Sequence, residues 1–136
     1  INMTGGGTAA PFAHGSGYGS SKAAVMRFTE TLDLELQDSG VLVFALGPGL
    51  VRTGMTEYQL TTEAGRRWLP GITKRFQDAA DVSPRLAAQM AVAIARGMLD
   101  DLHGRSISAA NATVEALLRD KERILREDLN TLRLRK

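Results

Sequence analysis

Six consecutive apolar residues, Val41-Leu42-Val43-Phe44-Ala45-Leu46, stand between Gly40 and Gly47. This run narrows the folds open to the chain more than any other stretch. A strand with one wet face alternates apolar and polar residues. An unbroken run rich in β-branched types instead predicts a strand covered on both faces, as in a parallel sheet flanked by helices. Gly47-Pro48-Gly49 then forces a turn at the strand's C-terminal end, the edge where open α/β sheets place their ligands.

The neighbouring segments fit that frame. Ile1-Asn2-Met3-Thr4 reads as the end of a strand whose beginning lies outside the chain, and Gly5-Gly6-Gly7 opens a loop running to about Ser16. Residues 17–38 have helical periodicity, with Val25, Phe28, Leu32 and Leu36 expected inward. Residues 56–82 are irregular: a short helix around Glu63 to Leu69 is expected to stop at Pro70-Gly71, and another is expected over 73–77. Such a segment could cover a pocket, with Met55, Tyr58, Trp68 and Phe76 packing it down or lining an apolar substrate site. Ser83-Pro84 caps a further helix that turns Leu86, Met90, Ala93, Ile94 and Met98 inward and ends near Leu99. A short strand over 104–109 and a helix over 114–129, with Val114, Leu117, Leu118, Leu125 and Leu129 inward, complete the order. Two strands joined through a helix imply a parallel crossover and the α/β class, in one domain over residues 1–136.

Composition excludes several functions. The 17 basic and 15 acidic side chains leave a charge of only +2, too little to draw nucleic acid or an anionic membrane over distance. The excess lies in the tail, where Arg119, Lys121, Arg123, Arg126, Arg133, Arg135 and Lys136 outnumber the acids, and alternation of sign there reads as a solvated helix face. Without cysteine there is no disulfide, thiolate nucleophile or cysteine metal site, and a reducing cytoplasm is the expected compartment. His14 and His103, 89 residues apart, have no ligand at helical spacing, so no metal site is expected.

Chemistry is concentrated at the start of the first helix. Tyr18 and Lys22 are four residues apart and project from one side of it. At about 4 to 5 Å and an effective dielectric near 20, an ammonium favours a phenolate by about 3 to 4 kcal/mol. A tyrosine so placed can exchange a proton with an alcohol or carbonyl oxygen near neutral pH. The spacing alone also suits a surface tyrosine beside a lysine, and Pro48-Gly49 also suits a turn set by sheet geometry.

Tyr18-Gly19-Ser20-Ser21-Lys22 after a strand and glycine loop, followed by Pro48-Gly49-Leu50-Val51-Arg52-Thr53-Gly54-Met55 at the end of a buried strand, resembles the short-chain dehydrogenase/reductase family. The likeness runs from Ile1 to about Arg133 and corresponds to the later half of that family's domain. It implies a partial Rossmann-like parallel sheet with flanking helices, NAD or NADP as cofactor of the complete domain, and an alcohol or carbonyl substrate. It assigns proton transfer to Tyr18, and to Lys22 both the promotion of its ionisation and a bond to the nicotinamide ribose. Pro48 and Gly49 would lie beside the nicotinamide, the Val51 backbone would meet its carboxamide, and Thr53 would approach the phosphates.

Two departures stand out. The family's substrate-orienting serine precedes the tyrosine by thirteen residues, which here falls on Gly5. Thr4, adjacent, should face the other way; His14 and Ser16 are other possible donors. The glycine-rich dinucleotide loop is also missing, because Gly5-Gly6-Gly7 leads into a long loop rather than into a helix. The expected function is thus the catalytic half of an NAD(P)-dependent oxidoreductase, inactive alone. The alternative is a noncatalytic remnant or oligomerising module. Self-association is expected in either case, from apolar residues of helix 17–38 beyond one stripe, Met26 and Leu34 included, and from an open sheet edge.

Overall fold

In a computed structural model that describes residues 1–134, the chain forms a three-stranded, all-parallel sheet flanked by helices, a partial Rossmann-like α/β fold. Arg135 and Lys136, counted in the basic tail, lie outside the described residues. Strands β1 (Asn2–Met3), β2 (Ala45–Gly47) and β3 (Ser106–Ser108) stand in sequence order, with Asn2 opposite Ala45 and Leu46 opposite Ile107. Helix α1 (Ser16–Glu35) joins the first two. Helices α2 (Gly54–Thr61), α3 (Glu63–Trp68), α4 (Pro70–Gln77) and α5 (Pro84–Ala95) separate β2 from β3, and α6 (Val114–Arg126) follows.

The main core lies on the face of β2 and β3 covered by α5 and α6, where Phe44, Leu46, Met90, Ile94, Leu99, Leu102, Ile107, Leu117 and Ile124 pack together. The apolar run supplies β2 as expected, but only its last four residues are covered. Val41 is 52% exposed and Leu42 is also exposed, whereas residues 43–46 are buried, so the ladder is shorter than the run. Helix α6 stops at Arg126, with Leu118 and Leu125 exposed and Ile124 inward. Lys121 on this helix grips Asp101, and that hydrogen bond and charge hold the Asp101 carboxyl below its ordinary range and raise the ammonium.

The inward face of α1 differs from the periodicity. Met26, Thr29, Glu30 and Asp33 turn toward the body, while Phe28 is 57% exposed. Two buried carboxylates are tolerated because each finds partners remote in sequence. Asp33 takes the Nδ1 of His103 at 2.7 and 2.9 Å. Glu30 accepts the Leu132 N–H at 2.7 Å and Arg133 at 3.1 Å, and the Arg27 guanidinium stands 2.6 Å from its other oxygen. The same segment, 128–133, seals the outer edge of β3, since Ser106 N–H donates to Asn130 O at 2.8 Å. Among the described residues no strand lies beside the outer edge of β1.

The region expected to be irregular is helical almost throughout. Thr53 caps α2 through a reciprocal box: its side chain accepts the Thr56 N–H while its own N–H donates to Thr56 Oγ1 at 2.8 Å. Helix α3 ends at Trp68, before Pro70, as expected, and Pro70 also opens α4, because its fixed φ and missing N–H suit a first helical turn. Ser83 caps α5 as expected, accepting from the Arg85 N–H.

Candidate active site

Because all three strands are parallel, their C-terminal ends share one edge, and the loops bearing the candidate residues leave from it side by side. Thr4 N–H donates to Leu46 O at 2.9 Å, and Ala109 N–H to Gly47 O at 2.9 Å, so the three loop entrances are tied together.

Tyr18 lies in the first turn of α1, 38% exposed. Gly5 faces it: a Cβ at residue 5 would collide with the Tyr18 hydroxyl and meet Lys22 Cγ at 3.5 Å. Residue 5 is thus the loop position that addresses the tyrosine, and, having no side chain, it leaves the hydroxyl to occupy its slot. Thr4 faces away. It is buried, and its Oγ1 lies 3.3 Å from where a Gly47 Cβ would be, which bears out the alternation expected of neighbouring strand residues. His14 takes a positive φ of 60° and packs on Trp68, ring centres 5.1 Å apart, and Ser16 is the exposed first residue of α1. Among the described residues the Tyr18 hydroxyl has no hydrogen-bond partner.

Lys22 Nζ donates to Met3 O at 3.1 Å and stands 5.7 Å from the Tyr18 ring centre. A side-chain cation therefore occupies a carbonyl next to the open edge of the sheet, and it fixes the ammonium beside the phenol. Phe12, which sequence reasoning passed over, closes the other side. Its ring centre is 5.8 Å from that of Tyr18, and side chains at Gly6, Gly15 or Gly19 would run into it. The glycine spacing was the available signal: four glycines of the loop and first helical turn make room for one aromatic ring or for another backbone. Gly7, at φ 89°, is pressed against the Gly19 backbone.

In the turn after β2, Gly49 has φ 86°, and a Cβ there would meet Ala110 Cβ at 2.6 Å and Val82 Cγ2 at 2.8 Å. Only glycine suits that turn on both counts. Val51 O accepts the Thr56 hydroxyl at 3.1 Å, one bond to an oxygen able to take two. Thr53 serves as the α2 cap, and Arg52 is held by Glu57 at 2.6 Å and by the Phe76 ring at 4.8 Å. Tyr18 with Lys22, and Pro48 through Thr53, thus leave from neighbouring strands at one edge of the sheet. Among the described residues no group of three or more acidic or histidine side chains is placed to hold a metal, and no helix is long and apolar enough to cross a membrane.

Residues 1–64 match the model of the short chain dehydrogenase family, a stretch that holds β1, α1, β2 and all the candidate residues. Over 100 residues the chain is 33% identical to a short chain dehydrogenase of Pseudocercospora fijiensis, covering 68% of this chain and 31% of that protein. It is also 41% identical over 49 residues to an uncharacterized oxidoreductase of Schizosaccharomyces pombe, covering 36% and 19% of the two chains. With an uncharacterized oxidoreductase of Staphylococcus epidermidis the identity is 48% over 40 residues, 29% and 17% of the two. The matched stretches thus span less than a third of the length of these curated relatives.

Proposed function

We propose that this chain is the later, catalytic half of an NAD(P)-dependent short-chain dehydrogenase/reductase that interconverts an alcohol and a carbonyl compound. The observation that carries the reading is the placement of Tyr18 over Gly5 with the Lys22 ammonium fixed beside it, at the sheet edge shared with the Pro48-Gly49 turn.

The residues fit one end of a dinucleotide. Lys22 spends one of its donors on Met3 O and keeps others for a ribose hydroxyl. The Gly47-Pro48-Gly49 turn keeps bulk away from the strand ends, Val51 O retains acceptor capacity, and Thr53 caps a helix whose first-turn N–H groups favour an anion. When bound, the nicotinamide supplies the hydride chemistry. The chain's own part is to hold the substrate oxygen at the Tyr18 hydroxyl and pass a proton between them, with the Lys22 ammonium fixed beside the ring. The residues do not fit the other end, because no glycine-rich loop opening a helix is present in the sequence.

It follows that the 136 residues alone should bind NAD(H) or NADP(H) at millimolar strength or worse. Absent pyrophosphate and adenosine contacts contribute about 4 to 6 of the roughly 8 kcal/mol behind a micromolar affinity. Calorimetry on the chain tests this, and a dissociation constant below about 10 μM would overturn it.

A noncatalytic, self-associating module is the second reading. It is favoured by Gly5, since the tyrosine hydroxyl fills the slot that an orienting side chain would occupy. Self-association is expected under both readings, with one change of residues: Met26 is 1% exposed and unavailable, so the contact falls to Phe28, Leu34 and the open edge of β1. Light scattering at micromolar concentration should find a dimer or larger species, and a folded monomer would refute this.

A further inference from the structure

A second cavity, of about 380 Å³, lies along β3, between the loop after β1, α1, α6 and the C-terminal segment 130–132. None of Tyr18, Lys22, Pro48, Gly49, Val51 and Thr53 lines it, so it is separate from the site above and its content does not depend on that reading. Its volume lies at the small end of the range for ligand pockets.

The chemistry of its walls is narrow. Ser106 and Ser108, two apart on one strand, face it together with Asn111 and Asn130, over an apolar floor that includes Met26 and Leu117. The side chains of those four polar residues have no hydrogen-bond partner among the described residues, although the Ser106 and Asn130 backbones bond to each other. Two hydroxyls and two primary amides, each able to donate and accept, thus converge uncommitted on one space. No charged side chain lines it. Charged groups next to the lining residues are engaged with one another: Glu30 with Arg27 and Arg133, Arg27 also with Leu132 O, and Arg105 with Asp128. A charged ligand would leave water without a counter-charge to meet it. A ligand whose groups both donate and accept would match these four polar side chains, with its carbon ring over the apolar floor.

We propose that this cavity binds a small, uncharged, polyhydroxylated molecule the size of a single sugar or cyclitol ring. Segment 128–133, held down by Glu30, forms one wall and sets the size limit.

The test uses the full chain with myo-inositol as probe and myo-inositol 1-phosphate as its charged counterpart, read by saturation-transfer NMR and by amide shifts of residues 106–111 and 130. Binding of myo-inositol with shifts confined to those residues is expected. Ser108→Val should weaken it about five- to tenfold, the worth of one or two neutral hydrogen bonds. Asn130→Ala, at an exposed position, carries the same expectation should the strand variant fail to fold. The proposal is overturned by a folded chain that does not bind myo-inositol, by equal or tighter binding of the phosphate, or by affinity unchanged in both folded variants.

Discussion

Replacing Tyr18 with phenylalanine in the protein that carries this chain should lower turnover of alcohol or carbonyl substrates by about a hundred- to ten-thousandfold, the usual contribution of a positioned proton donor. The fold should hardly notice. The Tyr18 hydroxyl bonds to nothing among the described residues, and its ring, which phenylalanine keeps, is what packs against Phe12. Loss of the hydroxyl therefore leaves no buried partner unsatisfied, and a stability change within about 0.5 kcal/mol is expected. Nicotinamide absorbance gives the rate and thermal unfolding gives the control. A variant that turns over like the parent would remove Tyr18 as the proton donor, and a parent without turnover would leave the noncatalytic reading standing. A variant that loses rate and stability together would assign Tyr18 to packing instead.

The largest stability effect is expected at Leu46→Ala, at about 2 to 5 kcal/mol, the range for truncating a buried leucine that neighbours cannot collapse around. Leu46 is in the central strand, fully buried among residues from α5, α6 and β3. Its neighbours are held by a ladder on each side, so they cannot close the gap. Against a total of about 5 to 15 kcal/mol for an ordinary domain, that loss approaches unfolding. Val92→Ala is the matched control: its side chain is 50% exposed on α5, away from the contact expected on α1, and a change of a few tenths of a kcal/mol is expected. Denaturant midpoints at unchanged slope measure both. Equal losses would mean that the face of α5 bearing Val92 is covered in solution.

Where the sequence misled, the missing term was a remote partner. The apolar positions of α1 suggest an inward stripe at Val25, Phe28, Leu32 and Leu36, yet the helix turns in Met26, Thr29, Glu30 and Asp33. Periodicity rates carboxylates as solvated because it cannot see Arg133 and His103 arriving some 70 to 100 residues later to meet them. The run 41–46 marked the central strand correctly but overstated its length, since cover comes from tertiary neighbours that reach only from Val43 onward. Helix α2 escaped notice because it is held by a threonine box rather than by an apolar stripe. The facing of Gly5 toward Tyr18, by contrast, was legible. It follows from the resemblance to the short-chain dehydrogenase/reductase family, which sets an orienting residue thirteen places before the tyrosine.

The contact of Gly7 with Gly19 bears on the order in which the molecule assembles. The first turn of α1 has Gly15 at its cap position with no side-chain bond, and it contains Gly17 and Gly19, a composition that nucleates a helix poorly. That turn, which carries Tyr18, is braced from outside by the loop backbone at Gly7 and by Phe12. The loop in turn has nothing to rest on until the turn exists. Each is the template for the other, so they become ordered in one step. The N-terminal end of the helix, which carries Tyr18, is accordingly the part expected to exchange its amide hydrogens first.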